Sequence, residues 1–297
     1  MAEETKTTAA PGDVRNALSW AVAELVQAGV ESPRLTAELL MASVLNWDRV
    51  RVIAHENDGL KEGAFPAFAS LIRRRAGGEP LQYLTGEQEF FGLRMRITPA
   101  VLIPRPETEI LVERAIGLAP PRAGRRLRFV DVGTGSGCIA IAFAHAVPHA
   151  VGWGVDLSPD ALVVAQRNAN RHGVGGRVKF VCADFLESVV SRPCFDLILS
   201  NPPYVARKDA GRLSVSVRDH EPHLALYAGN SGMDAYSRLV PSASRRLLPG
   251  GRLLMEVGAG MSGEVSRLVR EEGLILEGVE PDLQGIPRCL IARREHG

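Results

Sequence analysis

The sequence predicts an α/β protein, a mostly parallel sheet preceded by a small helical bundle, and three observations carry that prediction. From Phe129 onward, short apolar runs alternate with helical segments, the pattern of strands covered on both faces. Before Gly78 the apolar residues recur only at helical spacing. Between the two, residues 79–104 form short apolar pieces broken by Gly86 and Gly92, which read as a β-hairpin linking two domains. The organisation expected is therefore a loose polar tail over 1–12, a helical domain over 13–78, a linking hairpin over 79–104 and the sheet domain over 105–297.

The helical part shows Val14, Leu18, Ala21, Val22, Leu25 and Val26 on one face, with Gly29 as a stop. Ser32-Pro33 reads as a cap followed by proline at the first helical position, opening a helix that carries Leu35, Leu39 and Ala42. A third helix with Phe65, Phe68, Leu71 and Ile72 ends in Arg73-Arg74-Arg75, where cations suit a helix C-terminus. No titratable cluster stands out in this region, and packing or recognition is the work expected of it. Strands follow at 129–132, 151–155, 178–182, 195–200, 252–257, 274–279 and 288–293, with helices over 137–146, 159–171, 233–248 and 262–272 between them.

Composition narrows the function classes. A chain of 297 residues that is 45% apolar is an ordinary globular protein long enough for two domains. Its net charge of +1 exerts no global pull toward nucleic acid or a membrane surface. The short basic groups at 73–75 and 122–128 read as a solvated helix end and a linker. Cys138, Cys182, Cys194 and Cys289 are widely spaced without a C-x-x-C pair, so they read as thiols of a reducing compartment rather than a disulfide frame or a metal site. No apolar run approaches the roughly 18 residues of a membrane span, and Glu3 and Glu4 argue against a leader peptide. A cytoplasmic protein without a membrane partner is expected.

The chemistry concentrates where strands end. Gly133-Thr134-Gly135-Ser136-Gly137 joins a strand to a helix, and its glycines let a ligand approach the backbone. The spacing departs from the dinucleotide fingerprint G-x-G-x-x-G. Asp156 closes the next strand, where a carboxylate accepts ribose hydroxyls. Asp184 and Phe185 close the third, suited to an adenine amine and ring. The fourth delivers Asn201-Pro202-Pro203-Tyr204, a stiff segment rich in acceptors. NAD and S-adenosyl-L-methionine both suit the glycine loop and Asp156. Hydride transfer calls for an acid–base group beside the nicotinamide, whereas Asn201 and the Pro202 carbonyl suit a planar NH2 held before a methyl sulfonium, with Tyr204 against the planar group. Orientation and electrostatics would carry such a reaction, without a metal or a covalent nucleophile.

These motifs together resemble the release-factor glutamine methyltransferases, the HemK family. The resemblance runs through Gly78-Glu79-Pro80-Leu81-Gln82-Tyr83, Glu89-Phe90-Phe91-Gly92, the segment 101–109 (Val-Leu-Ile-Pro-Arg-Pro-Glu-Thr-Glu), Asp131 to Gly137, Asp156, Asp184, Asn201 to Tyr204 and Glu221-Pro222 with Ala225-Leu226. It implies a Rossmann-like methyltransferase sheet and N5-methylation, from S-adenosyl-L-methionine, of the glutamine in the Gly-Gly-Gln motif of class-1 peptide chain release factors. It implies cofactor contacts from Gly133, Thr134, Gly135, Ser136, Gly137, Asp156, Asp184, Phe185 and Asn201. Asn201, Pro202, Pro203 and Tyr204 would bind the glutamine amide, with Asn201, Pro202 and Tyr204 catalytic. Relatives often carry tryptophan where Phe185 stands. The N-terminal helices would help to dock the protein substrate, and a monomer without direct nucleic-acid contact is expected. Arg105 and Glu107 fit a place near the crevice, and His220 a nearby loop. Two rivals share the acceptor chemistry: glutamine methylation of a ribosomal protein, and N6-methylation of DNA adenine, which would need a flipped base and a basic groove.

Overall fold

The computed structural model describes residues 11–119, 126–186 and 192–296. The first ten residues of the expected tail and part of the basic stretch at 122–128 lie outside the described residues. The chain divides into two compact units, one through Gly86 and one from Glu87 onward.

The first unit is helical. Asp13 opens α1 (Val14–Gln27), its carboxylate accepting the Asn16 N–H at 2.8 Å. Pro33 stands at the start of α2 (Pro33–Leu45), but Ser32 does not cap it as expected: at φ 50° it makes no side-chain cap bond. Then come α3 (Arg49–Ala54), capped by Asp48, α4 (Ala64–Ala76) and α5 (Leu81–Thr85). Helices α3 and α5 escape sequence reading because five or six residues hold too few turns to show a period. Leu84 of α5 packs into a core of Leu18, Leu25, Leu40, Met41, Phe68 and Ile72. A titratable cluster, unnoticed in the sequence, also sits here. Glu38, 3% exposed, accepts from Arg34 at 2.6 Å and Arg49 at 2.7 Å. Burial works to raise its carboxyl, and the two guanidiniums outweigh burial and hold it below the ordinary value.

Of residues 79–104, read as one linking hairpin, α5 thus belongs to the helical unit. The hairpin itself is shorter, β1 (Glu87–Phe90) paired antiparallel with β2 (Leu93–Arg96), and belongs to the second unit. A 3₁₀ turn at Pro106–Thr108 leads into α6 (Glu109–Leu118). Alternation follows as β3 (Leu127–Val132), α7 (Cys138–Ala146), β4 (Ala150–Asp156), α8 (Pro159–Arg171), β5 (Val178–Cys182) and β6 (Phe195–Ser200). After β6 come two short helices, α9 (Val215–His220) and α10 (His223–Leu226), then α11 (Asp234–Arg246), β7 (Leu247–Glu256), α12 (Ser262–Glu271), β8 (Leu274–Pro281) and β9 (Pro287–Arg294).

The seven strands run in the order β5-β4-β3-β6-β7-β9-β8. The five from β5 to β7 are parallel; β9 lies antiparallel to both β7 and β8. The short turn between β8 and β9 imposes that reversal, since a parallel return needs a long crossover. Alternation along β3 sends its side chains to opposite faces. Phe129 meets Phe143 of α7 edge to face at 4.9 Å. Val130 and Val132 join a buried cluster with Tyr236, Leu239 and Val240 of α11 and Val265 and Val269 of α12. Strand β3 has β4 on one side and β6 on the other, so the order of connection switches there. The carboxyl ends of the strands open a crevice at such a point. Among the described residues no helix is long and apolar enough to cross a membrane.

Candidate active site

One cavity occupies that crevice. Gly133 and Gly135 line it from the loop after β3, Asp156 from the end of β4, Asp184 and Phe185 from beyond β5, and Asn201, Pro202 and Pro203 from beyond β6. Residues 100–102 and the segment of Pro222, Leu224 and Ala225 complete the wall.

The glycine loop is tied down by its own backbone. The N–H groups of Gly133 and Thr134 both donate to the Val155 carbonyl, at 2.8 and 3.0 Å, and that of Gly137 to the Thr134 carbonyl at 2.8 Å. The Gly135 N–H donates to Asp156 Oδ2 at 2.8 Å, while Asp156 Oδ1 accepts from Ser158 N–H at 2.9 Å. The Leu157 N–H is a further, weaker donor to this carboxylate, which keeps lone-pair capacity for a ligand hydroxyl. Burial raises the Asp156 carboxyl, and the N–H groups of Ser158 and Gly135 oppose it. Two glycines have distinct reasons. Gly135, at φ +53°, has nothing within 4 Å of where a Cβ would stand, so it opens onto the cavity. Gly137, at φ +80°, lets α7 and α8 close up: a Cβ there would lie 2.8 Å from Ile141 Cδ1 and 3.1 Å from Ala165 Cβ.

Asp131, at the end of β3, is fully buried. Its Oδ2 accepts from the Thr134 hydroxyl at 2.6 Å and the Ala140 N–H at 3.2 Å, and its Oδ1 has no partner among the described residues. Burial lifts this carboxyl to about 7 against those two bonds. Asn168 of α8, also fully buried, donates to the carbonyls of Ser136 and Arg96 and accepts the Arg96 N–H at 2.7 Å. One side chain thereby ties hairpin strand β2 to the glycine loop.

Past β6, Asn201 Nδ2 donates to Thr108 Oγ1 at 3.0 Å, and Thr108 Oγ1 donates to Glu256 Oε2 at 2.5 Å. The Tyr204 hydroxyl donates to the other Glu256 oxygen at 3.2 Å. Glu256 ends β7 at 3% exposure, and Thr108 is 2% exposed. On the opposite side, Asp184 accepts from Arg238 at 2.7 Å, and the Arg238 guanidinium lies over the Phe185 ring at 4.7 Å.

Three comparisons bear on this geometry. The model of the PrmC N-terminal domain matches residues 16–86, and that of the methyltransferase small domain matches residues 108–218. A release factor glutamine methyltransferase of Koribacter versatilis is 42% identical over 95% of this chain and 98% of its own length. One of Deinococcus radiodurans is 40% identical over 96% and 99%. The chain belongs to the release factor glutamine methyltransferase family. Solved structures support the fold: the hMettl16 catalytic domain, crystallised with a MAT2A 3′UTR hairpin, matches 76% of this chain and 82% of its own at TM-score 0.55 and 18% identity. A Pyrococcus furiosus methyltransferase matches 69% and 91% at TM-score 0.50 and 17% identity.

In this methyltransferase the residues singled out from sequence fall into two groups. Gly133, Gly135, Asp156, Asp184, Phe185, Asn201, Pro202 and Pro203 share one cavity wall. Thr134, Ser136, Gly137 and Tyr204 lie off that wall. Thr134 spends its hydroxyl on Asp131, Ser136 its carbonyl on Asn168, and Gly137 its lack of a side chain on helix packing. Tyr204, expected against the acceptor's planar group, packs against the core cluster, as Met261 does, and donates its hydroxyl to Glu256. A buried carboxylate with an open oxygen draws it there. Arg105, Glu107 and His220 do not line the cavity either, though Arg105 pairs with Glu221 beside it.

Sequence reading assigned no site role to Thr108, Asn168, Glu221, Arg238 or Glu256, although Thr108 and Glu221 stand within the family motifs. Glu256 carried a usable signal: like Asp131 and Asp156, it is a carboxylate closing an apolar strand, here Leu253-Leu254-Met255. Arg238 carried none, as an exposed arginine of α11 no different in sequence from Arg245.

Proposed function

We propose that this protein transfers the methyl group of S-adenosyl-L-methionine to the side-chain nitrogen, N5, of the glutamine in the Gly-Gly-Gln motif of class-1 peptide chain release factors. The observation that carries the reading is the meeting of Asn201-Pro202 with the glycine loop and Asp156 around one cavity at the sheet's switch point. The residues fit the cofactor. Asp156 keeps acceptor capacity for ribose hydroxyls, Gly135 leaves room for close approach, and Phe185 offers a ring to adenine. The alternative nucleotide, NAD, fits less well: hydride transfer calls for an acid–base group such as His or a Tyr-Lys pair beside the nicotinamide, and none of those residue types is among the described residues that line the cavity.

When bound, the cofactor supplies an electrophilic methyl group on a sulfonium sulfur. The chain's own part is positioning. Asn201 Oδ1 and the Pro202 carbonyl accept the two hydrogens of the glutamine amide, whose nitrogen lone pair is otherwise shared with its carbonyl. Held this way, the nitrogen faces the methyl carbon, and its excess proton passes to water after transfer. Pro203 stiffens the clamp. Tyr204 supports it through Glu256. The helical unit docks the release factor, and the protein works in the cytoplasm as a monomer without direct nucleic-acid contact.

Labelled S-adenosyl-L-methionine, a purified release factor and mass mapping of the product test the reading. One methyl group on the Gly-Gly-Gln glutamine is expected. Label confined to a ribosomal protein or to DNA adenine, with none on the release factor, would overturn it.

A further inference from the structure

Asn201, Thr108 and Glu256 form a hydrogen-bonded chain whose direction is fixed by counting hydrogens. A hydroxyl has one hydrogen, and an ionised carboxylate only accepts. Thr108 Oγ1 lies 2.5 Å from Glu256 Oε2, so its hydrogen goes there, and its oxygen can only accept from the other side. The Asn201 atom 3.0 Å from it is therefore the NH2 group. That leaves Asn201 Oδ1 for the cavity that Asn201 lines.

We infer that Thr108 and Glu256 are positioning residues for methyl transfer, fixing the Asn201 amide with its NH2 on Thr108 and its oxygen toward the acceptor. The inference rests on the function proposed above. An acceptor amide brings two N–H groups to the clamp, which must offer two oxygens. A flipped Asn201 would set one NH2 against another and lose the bond that holds the nitrogen. The carboxylate serves both ends of the clamp, since the Tyr204 hydroxyl also donates to it. Tyr236 holds the strand end in place, its hydroxyl donating to the Glu256 carbonyl at 3.1 Å.

The relay needs Glu256 Oε2 free of a proton, as it is in the carboxylate. The groups around it are Thr108 and Glu107 from the turn before α6, Tyr204 from the clamp, Tyr236 from α11, and Arg288 and Cys289 from β9. Burial raises its carboxyl; the Thr108 and Tyr204 hydroxyls and Arg288 oppose that, and Glu107 adds to it. A proton on Oε2 would turn the Thr108 hydrogen toward Asn201 and select the flipped amide.

Thr108→Val, Thr108→Ser and Glu256→Gln, with the wild type, test this by two readouts. The first is methyl transfer to a purified release factor, with cofactor affinity measured by calorimetry and folding by thermal melting. Thr108→Val should lose roughly 10- to 100-fold in kcat, the loss of a hydrogen bond in a chain tied to a charge, at nearly unchanged cofactor affinity. Thr108→Ser should restore most of it. The acid limb of the wild-type kcat profile should be absent from Glu256→Gln. The second readout needs no substrate: in protein labelled with ¹⁵N-asparagine, the Asn201 NH2 protons should be protected from exchange in wild type and Thr108→Ser and unprotected in Thr108→Val. A folded Thr108→Val with wild-type kcat and protected protons would overturn the inference. Protected protons in a wild type that fails to methylate any release factor would uphold the amide orientation and sink the proposed function instead.

Discussion

Arg105 and Glu221, 116 residues apart in the chain, meet through Arg105 Nη2 and Glu221 Oε1 at 2.5 Å, and the second Glu221 oxygen accepts the Ile103 N–H at 3.2 Å. The Glu221 side chain is 1% exposed and that of Arg105 34%. The pair thereby joins the segment before α6 to the turn between α9 and α10, two stretches that each contribute to the cavity wall.

Glu221→Ala should consequently affect stability and the wall together. It strands a buried N–H and uncouples a half-buried guanidinium, for a loss of about 1–3 kcal/mol. Urea unfolding should show a lower midpoint at an unchanged slope. Methylation assays should show a raised KM for the release factor.

Two alanine substitutions in the glycine loop should separate packing from binding. Gly137→Ala combines a positive φ with contacts of 2.8 and 3.1 Å and should destabilise the fold by roughly 1–3 kcal/mol. Gly135→Ala meets open space at its own positive φ and should cost about 1 kcal/mol while weakening cofactor binding more strongly. Melting curves beside calorimetric titration check the contrast; equal effects on both quantities would contradict it.

Asp131 makes stability fall as pH rises. Its folded-state carboxyl titrates at about 7 against an ordinary 3.8. Between those values the native state binds more protons than the unfolded one, so this group's contribution is full below pH 4 and is lost by about pH 7. Thermal melting from pH 5 to 7.5 should show that decline, and Asp131→Asn should flatten it.

Arg238→Ala should leave stability within about 1 kcal/mol, because its ion pair with Asp184 is exposed on both sides. Cofactor affinity should fall several-fold, since the same guanidinium holds Phe185 at φ 54° against its own plane. Calorimetry decides; unaltered affinity would remove Phe185 from the adenine side of the site.

The sequence made the sheet domain legible because each parallel strand is a separate apolar run. Strand β5 was read over 178–182 and β6 over 195–200, the bounds the structure shows. The carboxylates and the Asn-Pro-Pro segment that end these strands were legible for the same reason. Strand order was not, since nothing in β9 announces that it slips between β7 and β8. Thr108 was legible as one position of the family segment 101–109. Its partners are 93 and 148 residues away, and no local pattern records such a distance. Tyr204 was legible as an aromatic beside the clamp but not as a donor facing away from it, because the buried acceptor lies on a later strand.

The engagement of four glycine-loop N–H groups within the protein also bears on the company this enzyme keeps. Adenosine reaches proteins in many forms, most of them carrying phosphates, and those compete for any adenine- and ribose-shaped cleft. With the N–H groups of Gly133, Thr134, Gly135 and Gly137 already pointing at Val155, Asp156 and Thr134, the loop has that many fewer donors to reward such competitors for their charge. Asp156, an anion at the same edge, repels them. Discrimination against phosphorylated adenosines can thus begin in the backbone, before any residue is devoted to exclusion.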